Sequence, residues 1–107
     1  MDLMSMFGLR KKDVFSLAID EALALLELEE YDNAIRILRE KALARDPGHR
    51  RVLLHLGICH MLKGETERAE EILLPVSRQA RMDSESAAAQ IALDKIAADR
   101  KKERGGL

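Results

Sequence analysis

An all-α fold is predicted by three features of this 107-residue sequence. Apolar residues recur at three- and four-residue steps from Phe15 to Ile96, the spacing that gathers them on one side of a helix. Glycine (6) and proline (2) are scarce for a chain built on many tight turns. Aromatic residues make up 3% with no Trp, whereas sandwiches and barrels favour aromatic and β-branched strands. At 47% hydrophobic and 35% charged, the chain is too apolar for a disordered tail and too charged for a membrane span.

The first helix is expected from Asp13 onward, with Phe15, Ala18, Ile19, Ala22, Leu25 and Leu26 in helical register. Asp13 suits its N-cap, because a carboxylate there accepts from a free amide of the first turn. A second helix carries Ala34, Ile35, Leu38, Ala42 and Leu43, opened by Asp32 or Asn33 and stopped at Asp46, Pro47 and Gly48. The third runs from about residue 49 to residue 63, with Val52, Leu53, Leu56, Cys59 and His60 on one side. Gly64 is placed to end it in a left-handed cap. Thr66 opens a fourth, bearing Ala69, Ile72, Leu73 and Val76, which Pro75 should kink or shorten because it removes a helical hydrogen bond. Asp83 or Ser84 starts a fifth with Ala88, Ile91, Ala92 and Ile96, running into a basic end.

The helices form a repeat. EEYDNAIRIL (29–38) aligns with GETERAEEIL (64–73), pairing Ala34 with Ala69, Ile37 with Ile72 and Leu38 with Leu73 at an offset of 35 residues. Twelve residues before each alanine stands a small residue, Ala22 or Gly57. This pattern resembles the tetratricopeptide repeat, a helix–turn–helix unit of 34 residues. The small residues, Tyr31 three places before Ala34, and Pro47 near the end of the first unit carry the likeness. Glu29 in place of the turn glycine, the missing terminal proline of copy two and the lack of an opening Trp depart from it. The resemblance implies a right-handed superhelix of two units, residues 14–48 and 49–82, closed by a capping helix over residues 84–103. The domain would span residues 13–103, preceded by an N-terminal segment, 1–12, expected to be flexible.

Targeting and charge narrow the function. In MDLMSMFGLRKK the basic residues Arg10, Lys11 and Lys12 come last, the reverse of a secretory signal. No apolar stretch approaches the roughly 18 residues of a spanning helix, and the single cysteine suits a reducing compartment. The expected location is cytoplasmic, with no membrane partner. A net charge of -1 and three aromatic residues argue against a nucleic-acid partner, so the basic clusters Arg45, His49, Arg50 and Arg51, and Lys95, Arg100, Lys101, Lys102 and Arg104, read as solvated. His55, Cys59 and His60 lie close in sequence but lack further ligands for zinc, and Cys59 has no base beside it. No phosphate-binding glycine motif occurs. The chain is expected to be no enzyme and to hold no cofactor or metal.

The resemblance further implies that the first helix of each unit lines a concave face. That face would receive Ser16, Ile19, Leu23, Leu26 and Glu27 from copy one and Arg51, Leu54, Ile58, Met61 and Leu62 from copy two. The protein-binding groove is accordingly assigned to Ile19, Leu23, Leu26, Arg51, Leu54, Ile58, Met61 and Leu62. Ile19 and Leu23 stand where relatives that clamp acidic chaperone tails place Lys and Asn, so that clamp is absent. If all seven aliphatic and Met side chains were open, on the order of 10 kcal/mol of burial would go unused. A second copy, an apolar helix of another protein, or the chain's own Leu3, Met4, Met6 and Phe7 would cover them. The expected function is a protein-interaction module that binds an apolar helical segment or self-associates as a homodimer. The alternative is a small repeat-fold chaperone of bacterial type III secretion, on fold-level analogy.

Overall fold

A computed structural model describes residues 13–78 and 83–104. Residues 1–12, with the expectation attached to them, lie outside the described residues, as do residues 79–82 at the end of the second unit. The described residues form helices and turns without strands: α1 (Val14–Glu27), α2 (Tyr31–Ile37) continued by a π-helical stretch (Leu38–Leu43), α3 (Arg50–Lys63), α4 (Thr66–Ser77) and α5 (Ser84–Arg104).

Three of the five helices, α1, α3 and α5, start at a side-chain cap. Asp13 caps α1 by accepting from the Ser16 amide at 2.8 Å. His49 caps α3, its Nδ1 accepting from the Val52 amide at 3.3 Å, while its ring stacks on Phe15 of α1 with centroids 4.2 Å apart. Asp83 and Ser86 cap α5 reciprocally: the Ser86 amide donates to Asp83 Oδ1 (2.8 Å) and the Asp83 amide to Ser86 Oγ (2.9 Å). The start of α2 differs from expectation. Its N-cap is Glu30, with no side-chain cap bond, and Asp32 instead sits in the first turn, where its charge suits the positive end of the dipole.

The turns between paired helices are built alike. Glu29 donates to the Leu26 carbonyl (3.0 Å) and Glu30 to that of Leu25 (2.9 Å). Thirty-five residues later Gly64 donates to Met61 (3.0 Å) and Glu65 to His60 (2.9 Å). Both are Schellman closures, which require a left-handed residue at the turn; Gly64 has φ 94° and Glu29 has φ 59°. Pro75 lies inside α4, whose helix ends at Ser77, two residues further on. The π stretch contains neither Gly nor Pro and carried no sequence signal; at its C-cap the Ala44 amide reaches five residues back to Arg39.

Two apolar clusters hold the helices together, and α3 belongs to both. The first joins Ala18, Ile19 and Ala22 of α1, Ala34 and Ile37 of α2, Leu38 and Ala42 of the π stretch, and Val52, Leu56 and Cys59 of α3. The second joins Leu54 of α3, Ala69, Leu73 and Val76 of α4, and Ala89, Ala92 and Ile96 of α5. Gly57 permits the close approach of α3 and α4: a Cβ there would lie 2.5 Å from Leu73 Cδ2. Polar ties repeat as the packing does. Lys63 of α3 reaches back to Asp32 of α2 at 2.6 Å, and Arg100 of α5 reaches back to Glu70 of α4 at 2.6 Å.

Candidate protein-binding face

Around α1, at about 100° per residue, Ser16, Leu23 and Glu27 share one side; around α3, Arg51, Ile58 and Leu62 do the same. Arg51 Nη1 donates to Ser16 Oγ at 3.3 Å, which brings these two sides together. Leu23 is 42% exposed and Leu62 45% exposed, whereas Leu26, Ile58 and Met61 are half-buried. Arg51 is exposed at the edge.

Two residues assigned to the groove from sequence are not on it. Ile19 is fully buried in the first cluster, because α1 turns it toward α2 and α3. Leu54 is 7% exposed and belongs to the second cluster, because α5 closes over that part of α3. Ile58 and Met61 pack against the same cluster. The apolar surface left open is therefore small, and burying two half-exposed leucines is worth on the order of 2 kcal/mol rather than ten. Sequence periodicity placed Leu54 correctly on its helix but did not say that α5 covers it.

The residues weighed for chemistry serve packing. Cys59 is fully buried, and burial pushes its thiol up to about 11, so the reactive thiolate is suppressed at neutral pH. His60 is 7% exposed and its Nδ1 donates to Glu65 Oε1 at 2.9 Å across the turn that ends α3. Burial, with the nearby charge of Arg51 second, lowers the pKa of His55. Among the described residues no group of three or more His, Cys, Asp or Glu is placed to hold a metal, and no helix is long and apolar enough to cross a membrane.

The basic cluster around residue 50 has a role that sequence reasoning missed. Arg50 spreads its guanidinium over both carboxylate oxygens of Asp83 and donates to the Val76 carbonyl at 2.9 Å. It thereby ties the start of α3 to the end of α4 and the cap of α5, across 33 residues of sequence. The Arg50 guanidinium, and then the Ser86 amide, hold the Asp83 carboxyl well below the usual carboxylate range. An arginine three residues past a proline gives no sequence hint of such a long-range partner.

Comparison with known proteins finds a family model, described as tetratricopeptide repeat, that matches residues 25–93, more than half of the chain. No match is found among curated proteins. None is found among solved structures.

Proposed function

The chain belongs to the tetratricopeptide repeat family, whose repeats generally mediate protein–protein interaction, and from that premise we propose that α1 and α3 together take up an apolar helical segment of another protein. The observation that carries this reading is the pair Leu23 and Leu62, exposed on the sides of α1 and α3 that the Ser16–Arg51 bond joins. Leu26, Ile58 and Met61 supply a partly covered floor beside them. A methionine in such a floor adapts to varied apolar shapes. With Glu27 and Arg51 at the rim, the face has an apolar centre and charged edges, the arrangement of a helix-in-groove site. Self-association through the same two leucines is the competing use of this face.

Titration of a fluorescent amphipathic Leu-rich helical peptide against the full chain tests the reading, alongside light scattering over a dilution series. Leu23→Glu and Leu62→Glu should each weaken peptide binding about tenfold, as expected for a leucine lost from the centre of a contact, with the helical circular dichroism unchanged. Wild-type protein that neither captures the peptide nor self-associates would remove the basis of the reading. A monomer–dimer equilibrium that the same substitutions abolish would show that the face serves a second copy.

A further inference from the structure

The outermost helices, α1 and α5, each leave an apolar face open. On α1, Leu17 is 53% exposed and the C-cap Leu28 is 68% exposed, with Ala24 exposed between them. At about 100° per residue these three share one side, away from the buried Ala18, Ile19 and Ala22 and about 120° from Leu23. On α5, Ile91 is 70% exposed and Ala98 is exposed, with Ala87 half-buried in line with them. They lie on the side away from the buried Ala89, Ala92 and Ile96. A helix that ends a repeat array ordinarily turns a polar face outward; this one does not. Among the described residues α1 and α5 do not touch, and α3 belongs to the cluster of each, so one copy cannot join its own two faces.

Charge and spacing say what each face fits. The α1 face carries Glu21, with Asp20 beside it and Asp13 at its start, while the α5 face carries Lys95 and Lys102. Lys41 bonds to Glu21 at 3.0 Å, and Asp94, which accepts from Gln90 at 2.9 Å, edges the α5 face. With both counted, the α1 face stays acidic and the α5 face basic. Two copies of the same face would set like charges together, whereas the unlike faces attract. Leu17, Ala24 and Leu28 stand at intervals of seven and four residues, and Ala87, Ile91 and Ala98 at four and seven. Laid antiparallel, Leu17 meets Ala98, Ala24 meets Ile91 and Leu28 meets Ala87, so every bulky side chain faces a small one, as close packing requires. The same register sets Asp13 against Lys102, and Asp20 and Glu21 against Lys95.

We propose that copies of this chain associate head to tail, α1 of one copy lying antiparallel on α5 of the next. The contact is heterologous, so each added copy presents a fresh face to another. It involves one helix from each side, less than a standard stable interface, and belongs to high protein concentration. The Leu23 and Leu62 face takes no part in it.

Sedimentation of the full chain over about a hundredfold range of concentration, reaching about 1 mM, tests this. The mean mass should rise with concentration and pass that of two copies. Glu21→Lys and Lys95→Glu should each weaken association about tenfold, because like charges then oppose each other, with helical circular dichroism unchanged. Mixed in equal amounts, the two variants should recover association but stop at two copies, since only one of the two junctions they form has opposite charges. A strict monomer over the whole range would overturn the proposal, as would association indifferent to both reversals. A mixture that fails to associate, or that grows past two copies, would overturn it as well. Leu23→Glu should leave the mass unchanged, and neither charge reversal touches the peptide-binding face, so this reading and the proposed function fail separately.

Discussion

Glu29 holds a backbone conformation, φ 59°, in which an L side chain crowds the following carbonyl at a cost of about 1–2 kcal/mol. Gly64, at the matching turn, meets no such crowding because it lacks a Cβ. Glu29→Gly should therefore stabilise the fold by about 1 kcal/mol, a rise in melting temperature of about 4–8 °C for a domain of this size. Thermal unfolding followed by circular dichroism checks it, and an unchanged or lower midpoint would contradict the assigned strain. Gly57→Ala should act oppositely, destabilising by about 1–3 kcal/mol as Leu73 is forced aside. Both positions were legible in the sequence, one as a departure from the repeat pattern and the other as its small residue. Arg50 was not, since its partners lie in other elements and only folding brings them within reach.

Among the elements, the helices themselves follow from apolar spacing and from caps such as Asp13 and Gly64, which act within one turn of their own position. The two differences arose where the signal was weak or tertiary. Asp32 and Asn33 are good capping residues, yet the Schellman closure through Glu30 starts α2 earlier and moves them into its first turn. The π stretch needs an extra residue in the turn without any local breaker to mark it. The Asp83 junction gives a pH prediction. Its folded carboxyl titrates below the ordinary value of 3.8, so the stability it contributes is present above that pH and is lost as pH falls through the folded value. Urea midpoints measured from about pH 6 down to about pH 2.5 should drop steeply below about pH 4. Asp83→Asn should lower the midpoint at neutral pH and flatten that acid limb. An acid limb unchanged by the substitution would show that other carboxylates carry it, among them Asp13 and Glu65, whose pKa values are also lowered.

At the scale of the molecule, the repeat and the all-α class were legible because the offset of 35 residues is written in Ala34 and Ala69, Leu38 and Leu73. The binding face was legible only in part. Periodicity separates one side of α1 from another, but whether a side is open depends on which helix lands on it, and α5 removed Leu54 from the surface. The same dependence applies to truncations of side chains. Leu56→Ala, in a fully buried site, should cost about 2–5 kcal/mol, whereas Leu62→Ala should change stability by less than about 1 kcal/mol. Denaturant titration compares the two directly.

The double membership of α3 has a dynamic counterpart. Val52 and Cys59 anchor it to what comes before, Leu54 to what comes after, so unfolding α3 disrupts both clusters at once. Its central amides should accordingly exchange with deuterium last and at the rate of global opening, while those at the start of α1 and the end of α5 exchange first.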